Sequence, residues 1–183
     1  MIDSPYDFFS ENKKDLEYYN FITTHNLNVF NAYTYYSDKL SLIYDGFKTK
    51  IKYNCLIHDR SKLLPEEFLI FRKRFFPVNG LDVIGDQAFN TALQHFYNNN
   101  PYRPEYWVSK IGSTIEMPDE YIAELMLDWI ATSMETGQKC YDWYELNKES
   151  LNLHSTTRAK IESALTDIKA IDEINNLNYG LAR

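Results

Sequence analysis

The chain has 183 residues, of which 44% are hydrophobic and 25% are charged, and its formal net charge is −7. A chain of this length and composition can bury a substantial core, which excludes a largely disordered protein. The negative charge excludes broad binding to nucleic acid polymers or to an anionic membrane, because either partner would repel the chain at long range.

The targeting and redox features are equally plain. No stretch approaches the roughly 18 consecutive apolar residues of a membrane span, and the first residues lack the basic segment followed by an apolar run that is typical of a signal peptide, so we expect none. Two cysteines are too few for a disulfide framework, so we expect both to be reduced thiols. These features predict a cytoplasmic protein with one domain over residues 1–183 and no membrane partner. These features do not exclude a homo-oligomer.

A long first helix is predicted over residues 16–43, which contain neither glycine nor proline, after a short lead-in turn at residues 5–11. Apolar residues recur there at spacings of three and four, as on one buried helical face. They are Tyr18, Phe21, Ile22, Val29, Ala32 and Tyr36, with His25 among them. We therefore expect the His25 imidazole to point into the core.

A second helix is predicted to follow the break at Gly46 and to end at His58, with Ile51 and Cys55 on the side that carries His58. A third helix is predicted to start within residues 64–67, where a proline suits the first turn and two acidic residues favour the helix dipole. Its apolar positions are Phe68, Phe71 and Phe75. A loop marked by Pro77, Gly80 and Gly85 follows.

Asp86 is a candidate cap for a fourth helix, which carries Ala88, Ala92 and His95 on one face and stops near residues 98–101. Residues 98–117 then form a long loop whose aromatic residues favour an ordered, packed conformation. A fifth helix is predicted from Pro118 to a C-cap at Gly137. Asp128 lies at the edge of its apolar face, which contains Tyr121, Ile122, Leu125 and Trp129.

Two more helices are predicted, over about residues 141–152 and 156–175, and His154 is expected at the surface just before the second of them. The buried stripe of the last helix is Ile161, Ala164, Leu165, Ile168 and Ile171. No segment alternates in the way a half-buried strand does. The pattern predicts an all-α bundle of about six to eight helices.

Four potential metal ligands lie on or beside the core-facing stripes of separate helices: His25, the adjacent pair His58 and Asp59, and Asp128. Imidazole nitrogen and carboxylate oxygen suit a divalent transition metal such as Mn, Co, Fe or Zn, while carboxylates alone also suit Mg. Neighbouring residues at a helix end can converge on one ion that lies beyond that end. The four side chains are therefore predicted to share a metal.

This pattern resembles the HD-domain superfamily of metal-dependent phosphohydrolases, in which a histidine, a later His-Asp pair often followed by a lysine, and a distant aspartate lie on helices. The matching positions here are His25, His58, Asp59, Lys62 and Asp128. The resemblance covers roughly residues 16–135. It implies an HD-like helical bundle with a divalent metal, acting on a nucleotide or related small phosphate compound.

A closer resemblance is to a little-characterised HD-like group from phages and bacteria. It is carried by His58 to Lys62 with the following Pro-Glu-Glu-Phe, by His95 with residues 98–101, and by Leu127 to Trp129. That group tends to have a His-His pair just after its Asn-Pro. This chain has Tyr102 and Arg103 there, which disfavours a second, histidine-rich metal site.

The remaining candidate residues are assigned by their chemistry. Lys62, Arg60 and Arg103 are candidates to hold a phosphate, with Arg103 as a bidentate donor. Glu66 or its neighbour Glu67 is a candidate general base, and His95 a candidate phosphate donor or support for the site. Tyr102 and Trp107 are available to stack on a base.

Two other classes of function remain open at this stage. Some HD-like proteins hold two irons and oxidise their substrates, which requires additional histidines, and here only His95 is available. Alternatively, the site is not catalytic and the chain is a small interaction protein, for instance one encoded by a phage to act on a host component.

Overall fold

A computed structural model describes residues 13–77 and 84–175, and within these ranges the chain is all-helical, as the sequence predicts. Val108 and Thr114 form an isolated bridge rather than a strand. The described α-helices are α1 (Lys13–Tyr36), α2 (Lys48–Leu56), α3 (Phe68–Phe75), α4 (Asp86–Asn99), α5 (Asp119–Thr136), α6 (Cys140–Asn147) and α7 (Ser155–Ile174). The predicted lead-in turn at residues 5–11, and Gly80, lie outside the described residues.

The chain divides into two compact units. The first contains the beginning of α1 up to Thr24 together with Asp59–Asn100, and the second contains His25–His58 and the chain from Pro101 onward. The single domain predicted over residues 1–183 stays a prediction. No helix in the described ranges has both the length and the apolarity that crossing a bilayer requires.

In the first unit, α3 and α4 pack on each other and on a 3-10 turn, Arg60–Leu63. Aromatic side chains fill this core, with the Tyr18 and Phe68 rings 5.2 Å apart and the Phe71 and Phe96 rings 6.1 Å apart. A buried ion pair joins Arg72 Nε to an Asp15 carboxylate oxygen at 2.7 Å. The first unit thus has its own apolar core, closed on one side by an internal charge pair.

In the second unit, α5 is the central helix. Residues 122–131 are all buried, because α2, α6 and α7 pack around this helix. Gly137 ends it in the left-handed conformation with φ of 77°, as the predicted glycine cap requires. The predicted stripe of α7 is buried except for Ile171, which is partly exposed. A polar group within residues 122–131 is therefore inside the protein whichever way its side chain points.

Several helix boundaries and faces differ from the prediction. The first helix ends at Tyr36 rather than near residue 43. Ser37 and Asp38, which follow, favour turns over helix. The backbone there forms turns in which an N–H bonds to the carbonyl three residues earlier, as from Lys39 to Tyr36. The second helix ends at Leu56, two residues before His58. The third begins at Phe68, after a turn over residues 65–67. Phe21 is exposed although the periodicity predicts it on a buried face, and Ala88, predicted to share a face with Ala92 and His95, is also exposed.

The long segment between α4 and α5 is ordered, as predicted. Pro104–Trp107 forms a 3-10 turn, and the bridge between Val108 and Thr114 closes a small reversal of the chain. The indole of Trp107 donates a hydrogen bond to the Pro101 carbonyl oxygen at 2.7 Å and packs against Tyr121. Aromatic packing therefore takes the place of regular secondary structure in this loop.

Candidate metal centre

Three of the predicted ligands meet inside the second unit. His25, His58 and Asp128 are all buried, and each offers a donor atom within 4.8 Å of the other two. His25 Nε2 lies 2.9 Å, and His58 Nε2 lies 3.5 Å, from the same Asp128 oxygen, Oδ1. Both imidazoles thus present the same ring nitrogen to one carboxylate.

Each ligand comes from a different element of the second unit. His25 lies on α1, on the buried stripe that continues through Val29, and Asp128 lies on the buried helix α5. His58 lies in the turn that follows α2, where Ile57 caps the helix. Because α2 ends before His58, the imidazole is placed by the turn and is not constrained to the face that carries Cys55.

Each histidine is also contacted at Nδ1, the ring nitrogen that does not face Asp128, by a glutamate of α5. His25 Nδ1 lies 2.9 Å from Glu135 Oε1, and His58 Nδ1 lies 3.0 Å from Glu124 Oε1. Asn28 also donates to the Glu135 carboxylate, at 2.9 Å. A carboxylate at one ring nitrogen fixes the imidazole orientation and directs the other nitrogen toward an ion, which is the usual environment of a metal-binding histidine.

The protonation of these imidazoles favours a cation at the centre. A neutral imidazole carries one N–H, so it can donate to only one of the two carboxylates that it faces. When Nδ1 donates to a glutamate, Nε2 is left as an acceptor pointing at the negative charge of Asp128. A cation beside Nε2 and Asp128 satisfies both groups, and a divalent one offsets more of the charge of Asp128, Glu124 and Glu135.

The distances also fit an ion. Two ligands at about 2.1 Å from one metal lie about 3.0 Å apart at a right angle and about 3.4 Å apart at the tetrahedral angle. The spacings of 2.9 Å and 3.5 Å around Asp128 fall at these two values. Two of the three donor–donor spacings are therefore those of ligands that share one divalent metal.

The acidic groups of the centre remain ionised. Burial alone would raise the pKa of Asp128. While Nε2 of His25 and of His58 carries a proton, hydrogen bonds and attraction from the two imidazoles outweigh burial and hold this pKa well below its usual range. A bound cation would take the place of those protons. Burial likewise opposes ionisation of Glu135, yet its contacts with His25 and Asn28 leave its pKa lowered. Both carboxylates are therefore negatively charged at neutral pH.

Tyr102 supports the centre rather than lining an open surface. Its side chain is buried, and its ring lies 4.3 Å from the His58 ring, centroid to centroid. Trp107, the other predicted stacking residue, donates its indole N–H to the Pro101 carbonyl oxygen and packs its ring against Tyr121. The stacking roles predicted for both residues stay predictions, and the structure gives each of them a packing role.

A cavity of about 250 Å³ lies beside Asp128. Arg103 is in its wall and forms a two-point contact with Glu105, with Nη2 to Oε1 at 3.0 Å and Nε to Oε2 at 3.3 Å. The apolar part of the wall contains Leu125, Trp129, Cys140, Trp143 and Leu151. A molecule bound in this cavity would touch a metal ligand and a guanidinium group at once.

The other predicted site residues belong to the first unit. Asp59 is buried with a left-handed backbone, φ of 56°, and its carboxylate pairs with Lys62. Lys62 also lies over the Phe96 ring, 5.0 Å from its centroid. Arg60 and Glu66 are exposed. The roles of all four residues, including Asp59 as a fourth metal ligand, stay predictions.

His95 is paired with Glu67, the neighbour of the predicted base. Glu67 is fully buried, its Oε1 lies 2.6 Å from His95 Nδ1, and Ser61 donates to its other oxygen at 3.0 Å. Burial raises the pKa of Glu67, although the hydrogen bonds from His95 and Ser61 act against it. Of the two adjacent glutamates, Glu67 is the one built into a polar network.

Glu124 and Glu135 were missed by the sequence analysis, although a signal was present. Together with Asp128 they occur at intervals of four and seven, so all three lie on one stripe of α5. An acidic stripe on a helix whose other positions are mostly apolar has to be buried with it. That conflict with ordinary burial rules marks these residues as candidates to serve a buried cation.

The fold and the centre together define an all-α protein with a candidate divalent-metal site. The chain belongs to the family of unknown function DUF5662, whose model matches residues 14–167. Searches of curated proteins and of solved structures gave no match. The matched range includes His25, His58 and Asp128, together with Glu124 and Glu135.

Proposed function

We propose that this protein is a metal-dependent phosphohydrolase of the HD type, acting on a nucleotide or a related small phosphate compound. One observation carries the proposal: His25, His58 and Asp128 converge, and a glutamate holds each imidazole from behind. The adjoining cavity adds a place for a substrate next to this centre. The order of the ligands along the chain is that of the HD pattern.

The donor set favours particular metals. Two imidazoles and a carboxylate are borderline ligands that suit Zn, Fe, Mn or Co better than Mg, which prefers an all-oxygen environment. When bound, the ion supplies Lewis-acid chemistry, activating water and polarising a phosphoryl oxygen. With three protein ligands in the cluster, positions remain for water and substrate. The proposal includes a cytoplasmic location, where the buried thiols stay reduced.

Arg103 is the residue of the second unit that we assign to the substrate phosphate. Its guanidinium is aligned by the two-point contact with Glu105 and lies in the same cavity wall as Asp128. Burial would lower the pKa of Arg103, but Glu105, Tyr102 and Asp128 raise it, so the positive charge is secure. A permanently charged guanidinium group in the cavity wall suits the oxygens of a phosphate.

The test is elemental analysis of purified protein, followed by a phosphatase screen over nucleotides with Mn, Co, Mg, Zn and Fe. We expect one metal per chain and hydrolysis of at least one phosphate ester. His58→Ala should lose both, because removing one ligand removes most of the affinity. The matched control is His154→Asn, which keeps a capping side chain at the start of α7 and should retain both.

Three outcomes would contradict the proposal. They are a parent protein that binds no divalent metal, hydrolysis that persists in His58→Ala, and equal loss in His154→Asn. Bound iron with consumption of oxygen would instead favour the di-iron oxygenase. Asp59→Ala extends the test to the first unit, where unchanged hydrolysis would remove Asp59 from the ligand set.

A further inference from the structure

The cavity beside Asp128 carries a further inference, which rests on the proposed function. We propose that this cavity binds the leaving group of the substrate, and that this group carries one aromatic ring system attached through a single phosphate ester. The substrate is then a phosphate monoester of an aromatic or heteroaromatic alcohol, or of a nucleoside. Polyphosphates are excluded from the preferred substrates.

Position is the first argument. Asp128 belongs both to the candidate metal centre and to the cavity wall. A phosphoryl group that reaches the centre therefore has the cavity immediately next to it. The part of the ester that leaves has to occupy that space, so the cavity wall determines which alcohols are accepted.

The wall chemistry is the second argument. Trp129 and Trp143 lie side by side in the wall, with ring centroids 5.1 Å apart and ring planes inclined by 59°. Leu125 and Leu151 extend this apolar surface. Two indole rings and two leucines form a surface on which a planar ring is favourable, because offset or edge-on aromatic contacts add to apolar burial.

The rim is polar but neutral. Thr132, Thr136 and Gln138 are exposed at the edge of the cavity and offer two hydroxyls and an amide. Groups of this kind hydrogen-bond to a substrate without selecting a charge. A ring that carries hydroxyl, carbonyl or amino substituents, as nucleobases and phenols do, matches an apolar wall with a neutral rim.

Charge is the third argument. Among the described residues that line the cavity, Arg103 is the single cation, and Glu105 and Asp128 are anions. One guanidinium and one divalent ion suffice for one phosphate group. Each additional phosphate would bring further negative charge toward Glu105 with no further cation to receive it. The cavity therefore suits a monoester and disfavours a diphosphate or triphosphate chain.

Size limits the ring system. The cavity has a volume of about 250 Å³, below the roughly 300 to 1,000 Å³ of sites that enclose drug-sized ligands. One ring system fits this space, and larger polycyclic groups do not.

In the reaction, the water oxygen forms a bond to phosphorus and the ester P–O bond breaks. The alcohol leaves with a proton, and the phosphate leaves as hydrogen phosphate.

The test compares two probes that cannot be hydrolysed, phenylphosphonate and methylphosphonate, which differ in the ring. Dissociation constants are measured by calorimetry on protein loaded with Mn²⁺. We expect the parent protein to bind phenylphosphonate at least fivefold more tightly. In Trp143→Ala this ratio should fall below two. Tyr141→Ala, on the same helix but outside the cavity wall, is the matched control and should keep the parent ratio.

A parent ratio below five overturns the inference, as does the absence of binding by either probe or a ratio that survives in Trp143→Ala. If that variant fails to fold, Trp143→Leu retains an apolar side chain and is judged by the same criterion. Failure of the proposed function is distinguishable. Hydrolysis without a phenyl preference refutes this inference alone, whereas a phenyl preference in a protein that hydrolyses no ester refutes the phosphohydrolase.

Discussion

Glu124→Gln isolates the role of a carboxylate that lies behind a proposed metal ligand, His58. The substitution preserves the volume of the side chain but removes the charge facing His58 Nδ1 across 3.0 Å. Removing such an outer carboxylate typically weakens metal binding by about 10- to 100-fold, which corresponds to about 1.4 to 2.7 kcal/mol. The imidazole loses the negative partner that raises the basicity of its Nε2 atom.

The structure ranks the two outer glutamates. The Glu124 side chain is 7% exposed, whereas that of Glu135 is 24% exposed. Water can replace part of the lost contact at the more exposed position, and Asn28 remains there as a neighbour. We therefore expect Glu124→Gln to lie near the hundredfold end of the range and Glu135→Gln near the tenfold end.

The assay is competition for Zn²⁺ or Mn²⁺ with a chromophoric chelator at constant pH and ionic strength. Glu120→Gln is the control, because Glu120 lies one turn earlier on α5, is also buried, and pairs with Lys50 rather than with a histidine. Its metal affinity should equal that of the parent protein. An unchanged affinity in Glu124→Gln, or an equal loss in Glu120→Gln, would refute the assignment of Glu124.

Asp172→Ala should lower the free energy of unfolding in urea by about 3 kcal/mol, because the buried carboxylate accepts from Tyr36 and Lys139; a loss below about 1 kcal/mol would contradict this. Burial raises the pKa of the Cys140 thiol to about 12, so the native protein should react slowly with a thiol reagent at pH 8 and rapidly once unfolded. Since this pKa is raised, its contribution to stability is present below pH 9 and is lost as the pH rises through about 12; fast labelling of the native protein would disprove the burial argument. His95→Ala should reduce turnover but leave one metal per chain, and a fall in stoichiometry from two to one would favour a dinuclear centre.

Hydrophobic periodicity was enough to predict the helices. The stripe on the first helix, apart from Phe21, and the glycine cap of α5 are confirmed, because each rests on local rules of spacing and backbone conformation. The end of the first helix was less accessible from sequence. Residues 37–43 are free of glycine and proline, yet buried Leu40 and Ile43 are better packed in turns. The turn preference of Ser37 and Asp38 and the burial of Leu40 and Ile43 together place this boundary.

The candidate site was only partly predictable for a related reason. His25, His58 and Asp128 could be selected from their residue types and order, and the structure brings them together. Asp59 adjoins His58 in sequence, but its left-handed backbone gives it surroundings of its own, including Lys62. The Trp129 and Trp143 wall depends on how α5 and α6 pack, which no local pattern records.

The burial of residues 122–131 of α5 on every face links the proposed metal binding to local opening of the second unit. Amide hydrogens of residues 122–131 are exposed to solvent only when the packing around α5 opens, which separates the ligands. An ion that binds only when the packing around α5 is intact lowers the population of the opened state by mass action. When the free metal concentration is 100 times the dissociation constant, that population falls by about a hundredfold. Deuterium uptake along α5 should therefore slow in proportion to metal concentration, so that the exchange rate of this helix reports the occupancy of the centre without any substrate.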